Sequence, residues 1–199
     1  MTVPPASGEM RHGMQTVPSD AELLGRSARG DQAAFDELIN RHGRYLYAIA
    51  QGQSGNAADA EDLVQETLIG ALNAKFRGES SVRTFLVSIL IRQAGMLRRK
   101  KKRQAGWMSL AAEGGQEGGA NTDPTRAGSA QSGTDARLDL SVMLQALSEE
   151  HRQVIILREL EQMSYEQIAA TLGVPRGTVE SRLHRAREDL RRRFKGYQP

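Results

Sequence analysis

The sequence predicts an all-α protein made of two small helical domains joined by a flexible linker. Three observations support this fold class. Apolar residues recur at helical spacing on both sides of residues 104–137, where that pattern breaks. Helix start and stop signals stand at the ends of the periodic segments. The chain of 199 residues, 39% of them hydrophobic, is long enough for one domain or two small ones with real cores.

Four helices are predicted in a first domain, residues 19–103. Ser19 and Glu22 have the spacing of a capping box at the start of the first helix. The helices are predicted to run from Ser19 to near Gly30, from about Asp31 to Gln51, from about Ala58 to Asn73, and onward from near Ser81. The apolar faces of the last three helices are predicted to contain Phe35, Leu38, Ile39, His42, Leu46 and Ile49, then Ala60, Leu63, Val64, Leu68 and Ala71, then Val82, Phe85, Leu86, Ile89 and Leu90.

Two segments have the composition of unstructured chain. Residues 104–137 contain seven glycines and seven alanines among polar residues, with Pro124, and predict a flexible linker. Residues 1–18 contain three prolines and no continuous apolar run. They predict a disordered leader that is neither a signal peptide nor a membrane anchor, so no membrane insertion is expected.

A second domain is predicted over residues 138–199. Helical spacing resumes with Leu138, Val142, Leu144 and Leu147, and Ser148 is placed to cap a helix containing Val154, Ile155 and Leu157. The signals that follow describe two short helices around a tight turn. They are a capping box of Ser164 and Gln167, an apolar face of Ile168, Ala169 and Leu172, a stop at Gly173 and a proline, Pro175, suited to the first turn of the next helix.

The last predicted helix has one apolar and one polar face. Val179, Leu183 and Ala186 fall at i, i+4 and i+7 and are expected to pack inward. Thr178, Ser181, Arg182 and Arg185 then point outward together. In a helix-turn-helix, such outward residues of the second helix meet base edges in the major groove and flanking cations meet phosphates. The motif predicts a sequence-specific reader of duplex DNA.

Charge divides the chain into segments of opposite sign. Residues 176–195 contain eight Arg and Lys against three acids, a balance of +5, and residues 98–103 are +6. Residues 56–72 are −4, with four acids and no Arg or Lys. The basic segments suit a phosphate backbone, whereas the acidic helix would repel one and indicates a protein partner. An ordinary solvated helix face explains the acids equally well, and charge alone does not choose.

The composition also argues against catalysis and cofactor binding. The chain has no cysteine, and its four histidines are scattered without metal-ligand spacing. We find no nucleophile paired with a base and no phosphate-cradling glycine loop. The sequence therefore predicts no catalytic residue, no metal site, no cofactor and no enzymatic activity.

Two pairs of motifs, in the expected order, resemble one family. Residues 59–68 (DAEDLVQETL) and 76–86 (FRGESSVRTFL) are similar to region two of extracytoplasmic-function (ECF) sigma factors, and residues 147–155 (LSEEHRQVI) with the helix-turn-helix resemble region four. The resemblance covers roughly residues 20–103 and 138–193. It implies a cytoplasmic initiation subunit that binds core RNA polymerase and promoter DNA and is held inactive by an anti-sigma factor.

The resemblance also assigns site residues. The polymerase-binding residues implied are Asp59, Asp62, Gln65 and Glu66. Those implied for the minus-ten element, where a base is flipped from the non-template strand, are Arg77, Ser80, Ser81, Arg83, Thr84, Phe85, Arg92, Arg98 and Arg99. Those implied for the minus-thirty-five element are Arg176, Thr178, Glu180, Ser181, Arg182, His184 and Arg185. The family usually has tryptophan where Phe85 stands.

Two rival interpretations remain at this point. One is a stand-alone helix-turn-helix regulator whose first domain senses a signal or dimerises, which would bind a duplex tightly without polymerase. The other is a nucleic-acid enzyme with an accessory DNA-binding tail. This second interpretation is disfavoured, because the sequence of the first domain contains no recognisable set of catalytic residues.

Overall fold

The computed structural model describes residues 17–112 and 142–194, with the backbone alone described for 105–112. All the regular structure in these ranges is helical, as predicted. The first domain contains α1 (Asp20–Ser27), α2 (Gln32–Ser54), α3 (Ala57–Asn73) and α4 (Val82–Ala112). The second contains a helical turn at 142–145, α5 (Glu149–Ile155), a π-helical turn (Ile156–Leu160) that continues α5, α6 (Tyr165–Leu172) and α7 (Arg176–Arg193). Residues 1–16 of the predicted leader and 113–137 of the predicted linker lie outside the described residues.

The predicted helix starts are confirmed by their hydrogen bonds. The Ser19 hydroxyl accepts from the Glu22 amide at 3.3 Å, and the Glu22 carboxylate accepts from the Ser19 amide at 2.8 Å. Ser164 and Gln167 make the same reciprocal pair at 3.2 and 2.8 Å. Each box satisfies two amides that the first turn of a helix leaves without a partner, which is why it marks a helix start so reliably.

The core of the first domain lies where α2, α3 and α4 pack together. Leu38, Leu46, Ile49, Leu86 and Leu90 are almost completely buried there, as their spacing predicts. Four predicted core residues are only partly buried, because they lie at the edges of the apolar stripes: Phe35, Ile39, Val64 and Phe85.

The helix-turn-helix is built as its sequence predicts, with a small shift at one residue. Val179, Leu183 and Ala186 are buried, and Gly173 ends α6 in the left-handed conformation with φ of 67°. Pro175 was expected in the first turn of α7 but precedes it as the N-cap, since its ψ of 148° is extended rather than helical. Val142, expected to be apolar core, is 55% exposed because the helical turn at 142–145 buries only one side.

The fourth helix is longer than expected. α4 continues to Ala112 and so includes the first residues of the predicted linker, 104–112. Reading these residues as linker was wrong because alanine was counted with glycine as a sign of flexible chain. Alanine is the best helix former, and this stretch also contains methionine and leucine.

The two domains lie against each other. Residues of α2 and α4 contact the helical turn at 142–145 and the segment around Glu161, both in the second domain. No helix within 17–112 or 142–194 combines the length and the apolar character needed to cross a membrane.

Candidate protein-docking and nucleic-acid surfaces

A groove of about 1050 Å³ runs between α3 and α4 and is called here the α3–α4 groove. Its α3 side carries Asp62, Gln65 and Glu66, all exposed. Two apolar side chains in the groove are exposed, Ile69 by 54% and Met96 by 48%. The α4 side is basic, with Arg99, Lys100, Lys102 and Arg103. A rim of charge around exposed apolar side chains is the composition of a protein-docking surface.

Asp59 lies apart from the other three polymerase-binding residues predicted on α3, Asp62, Gln65 and Glu66. Its carboxylate accepts a hydrogen bond from the Asn56 side chain and forms an ion pair with Lys101 of α4. The hydrogen bond from Lys101 is the main reason why the pKa of Asp59 lies below its ordinary value. Only 18% of the Asp59 side chain is exposed. The structure thus places Asp59 in a contact between α3 and α4, outside the α3–α4 groove.

The predicted minus-ten residues before α4 form an exposed loop that ends in a capped helix start. Arg77 is 73% exposed and Ser80 is exposed. The Ser81 hydroxyl accepts from the Thr84 amide at 3.1 Å, which caps α4. The Phe85 ring lies against Phe76 with 5.1 Å between ring centroids. An aromatic pair beside an exposed loop offers a stacking surface for a base.

The predicted basic residues on α4 do not share one face. Arg92 and Arg99 are exposed, whereas Arg98 turns toward the second domain and forms an ion pair with Glu149. Burial lowers the pKa of Arg98 to about 10, with a further contribution from the nearby charge of Arg152. Consecutive residues on a helix point in directions about 100° apart, and here Arg98 faces the second domain while Arg99 faces the α3–α4 groove.

The residues predicted on α7 for the minus-thirty-five element differ in how exposed their side chains are and in whether they form ion pairs. Ser181, His184 and Arg185 are exposed. The Arg176 guanidinium lies between two carboxylates, 2.8 Å from Glu166 and 2.9 Å from Glu180.

Two further predicted residues on α7 are less accessible. Arg182 is only 20% exposed and pairs with Glu150 at 3.0 Å, and Thr178 is partly buried. The outward face predicted from spacing is therefore present, but the Arg182 side chain is engaged in an ion pair with α5.

Several residues that shape these surfaces were not predicted. Ile69 and Met96 gave a usable signal, since each interrupts an otherwise polar helix face. Glu161 gave none, because a lone acid after a helix is normally solvated, yet its side chain is fully buried. Its partners lie in the first domain, 116 and 77 positions earlier in the chain.

Comparison with known proteins places both domains in one family. Residues 38–104 match the family model of sigma-70 region 2, and residues 137–190 match that of sigma-70 region 4. The ECF RNA polymerase sigma-E factor of Escherichia coli strain K12 is 33% identical over 86% of this chain and 92% of its own length. This chain belongs to the ECF sigma factors. The ECF RNA polymerase sigma factor SigE of Mycolicibacterium smegmatis is 37% identical over 82% of the chain, which spans 64% of that protein.

Two solved structures share the fold, and one of them is of a sigma factor. The sigma factor RpoE from Bartonella quintana, in a co-crystal with the anti-sigma factor NepR, has a TM-score of 0.57 and 30% identity, covering 82% of this chain and 98% of that one. CnrH, in complex with the cytosolic domain of CnrY, has a TM-score of 0.54 and 28% identity, covering 88% and 96%. The ECF sigma fold thus extends over both domains.

Proposed function

We propose that this ECF sigma factor binds core RNA polymerase and directs it to promoters by recognising minus-ten and minus-thirty-five elements. The observation that carries the proposal is the exposed acidic side of the α3–α4 groove. Asp62, Gln65 and Glu66 lie beside exposed apolar side chains, and α3 has no Arg or Lys to offset its acids. A surface that would repel phosphate has a use when its partner is a protein. The family membership of the chain supports the same partner.

The basic and aromatic surfaces supply the DNA contacts of this proposal. The loop with Arg77 and Ser80, together with Phe85 and the exposed Arg92 and Arg99, would take the minus-ten strand. The residues of α7 would read the minus-thirty-five box in the major groove. Asp59, Arg98 and Arg182 are proposed to contribute less than their neighbours, because each is held in an ion pair within the chain.

An anti-sigma factor is the third proposed partner. One of the solved structures described above contains a sigma factor bound to an anti-sigma factor. Under this proposal the chain acts in the cytoplasm, where the polymerase works, and catalyses nothing itself.

The test of polymerase binding is a charge reversal on the groove. Asp62→Lys combined with Glu66→Lys is expected to abolish co-purification with core RNA polymerase, because it reverses the acidic side of the groove. Asp36→Lys, an exposed acid on α2 away from the groove, is the control and should bind as the parent does. Circular dichroism checks that both variants fold. Unchanged co-purification of the double variant would overturn the polymerase assignment.

A second measurement separates this proposal from the stand-alone regulator. The sigma factor should bind promoter duplex weakly alone and strongly with core enzyme. Tight binding of a palindromic duplex by the isolated chain would favour the regulator instead.

A further inference from the structure

The α3–α4 groove has charges of opposite sign on its two sides. Asp62 and Glu66 lie on the α3 side, and Arg99 and Arg103 lie on the α4 side. All four side chains are exposed, and none of them forms an ion pair with another side chain of residues 17–104 or 142–194. Both sides of the groove can therefore form ion pairs with a molecule outside the chain.

The groove also contains exposed apolar side chains. Four large apolar side chains are exposed among residues 17–104 and 142–194, and two of the four, Ile69 and Met96, line this groove. They come from the two helices that face each other, so one partner seated in the groove would cover both. Removing apolar area from water favours association.

The two helices that form the groove are antiparallel. Asp59, near the start of α3, forms an ion pair with Lys101, far along α4. A β-carbon added at Gly70, near the end of α3, would lie 3.2 Å from Ile89, near the start of α4. A step forward along α3 therefore corresponds to a step backward along α4.

Asp62 and Arg99 consequently lie at about the same height on opposite sides of the groove. Asp62 is three residues after Asp59, and Arg99 is two residues before Lys101. At about 1.5 Å of rise per residue, the two positions differ in height by only about 1.5 Å. Glu66 and Arg103 are each four residues further on and so share the faces of Asp62 and Arg99.

A surface with this arrangement is complementary to itself. When two copies face each other across a two-fold axis that runs along the groove, α3 of each copy lies over α4 of the other at the same height. Asp62 of one copy is then opposite Arg99 of the other, and symmetry repeats the contact. A two-fold axis perpendicular to the helices would instead set acids against acids, which is unfavourable.

We propose that the chain self-associates through the α3–α4 groove, with the acidic side of each copy against the basic side of the other. Ile69 and Met96 are covered between the two copies. The contact also covers Asp62 and Glu66, so a paired chain does not present them to another protein. Self-association does not depend on the proposed function, whereas its consequence, occlusion of the polymerase-binding surface at high chain concentration, rests on it.

Sedimentation equilibrium of the purified chain tests self-association. Across roughly 1 to 100 μM, the average mass of the parent should rise from that of a monomer toward that of a dimer. Added salt should reverse the rise, because exposed charge pairs are screened. A parent that stays monomeric over this range would overturn the proposal, and so would a dimer that salt does not weaken.

Charge reversal on each side of the groove identifies the surface. The acid-side variant carries Asp62→Lys with Glu66→Lys, and the base-side variant carries Arg99→Glu with Arg103→Glu. Each alone should self-associate at least tenfold more weakly than the parent, because like charges then face each other in both halves of the contact. An equimolar mixture should regain association, since each reversed side then faces a side of opposite sign. A mixture that associates no better than its components contradicts the proposed arrangement.

Two substitutions outside the groove control for net charge. Asp36→Lys and Arg44→Glu replace exposed residues of α2 that do not line the groove, and both variants should self-associate as the parent does. Circular dichroism checks that every variant folds. Equal weakening by the control and groove variants would place the contact elsewhere and so overturn the proposal.

Energy transfer between labelled chains tests occlusion. The chain has no native cysteine, so Asn40→Cys, at an exposed position of α2, accepts one donor or one acceptor dye. Excess core RNA polymerase should reduce the transfer at least threefold, because the enzyme and the second copy need the same acids. Transfer that persists while the enzyme is bound would overturn occlusion. An enzyme that does not bind the chain would contradict the proposed function, and with it occlusion, but would leave the sedimentation result in place.

Discussion

Asp59 of α3 and Lys101 of α4 form an ion pair, so one of the acids assigned to polymerase binding joins two helices of its own domain. We expect Asp59→Asn to lower the free energy of unfolding by about 0.5 kcal/mol at pH 7, since Lys101 is half exposed and such pairs contribute little. The folded pKa of Asp59 is lowered by Lys101, so the contribution is present above the ordinary aspartate pKa of about 3.9. It is lost as the pH falls through the lower folded value.

Urea unfolding of the parent and of Asp59→Asn, at pH 7 and near pH 3, checks this prediction. The difference between the two proteins should be smaller near pH 3 than at pH 7, because the carboxylate of Asp59 becomes protonated as the pH falls. Asp62→Asn, an exposed acid on the same helix, is the control and should show no difference at either pH. A difference that is undiminished in acid would show that the Asn substitution acts on packing instead.

Substitution of Arg185 on α7 should weaken DNA binding, whereas substitution of Arg187 on the same helix should lower thermal stability. Arg185 is exposed, whereas Arg187 donates two hydrogen bonds to Glu159, at 2.7 and 3.0 Å. We expect Arg185→Ala to weaken binding of a duplex selected from a random pool by about 1 to 3 kcal/mol. Arg187→Ala should instead lower the melting temperature, because it leaves Glu159 without this partner.

Fluorescence anisotropy and calorimetry on both variants separate these effects. An equal loss by Arg185→Ala on selected and scrambled duplexes would assign that side chain to a phosphate. Full duplex affinity in the Arg185→Ala variant would remove it from the interface.

Glu166 is expected to restrain the positive charge at the start of α7. Its carboxylate lies 2.8 Å from the Arg176 guanidinium, at the end of the helix that faces DNA under the proposed function. Glu166→Gln removes one negative charge beside the phosphate path. The variant should bind duplex more tightly, and the slope of log affinity against log salt should steepen by roughly one charge. Glu188→Gln, further along α7, provides the comparison, and equal slopes for all three proteins would contradict the expectation.

Gly173 should be required for its backbone conformation alone. Its φ of 67° is left-handed, and among residues 17–112 and 142–194 no side chain or distant backbone atom lies within 4 Å of where a β-carbon would stand. Gly173→Ala is therefore expected to destabilise the second domain by about 1 kcal/mol through strain. Gly173→Asn should cost less, because asparagine tolerates this conformation better. Thermal unfolding should rank the parent first, Asn second and Ala third, and a reversed order of the two variants would exclude backbone strain.

Features set by neighbouring residues could be predicted from the sequence. The capping boxes at Ser19 and Ser164 need only residues three positions apart, and the buried stripe of Val179, Leu183 and Ala186 follows from helical spacing. The all-α fold class depends on such local signals. The exposed acidic positions Asp62 and Glu66 were also predictable, because they interrupt the apolar spacing of α3.

Features set by distant residues could not be predicted. Arg98 and Arg99 are equivalent in sequence, and only the position of Glu149 in space turns one of them inward. Glu161 is buried because Tyr45 and Thr84 converge on it from two helices of the other domain. Local sequence contains no trace of either contact. The length of α4 was missed for a different reason, because the alanines of residues 104–112 were counted with the glycines as signs of flexible chain.

Because α4 is one continuous helix, the distance between side chains near its start and side chains in its basic run is fixed. At about 1.5 Å per residue, the 31 residues of this helix form a rod of about 46 Å. Phe85 near its start and Lys100 within its basic run are thereby held about 22 Å apart along the axis. That interval corresponds to six or seven base pairs of duplex at about 3.4 Å each. If both ends of the helix contact DNA, as the basic run and the proposed function would have it, inserting or deleting one turn between Phe85 and Lys100 would change the length of DNA that they span.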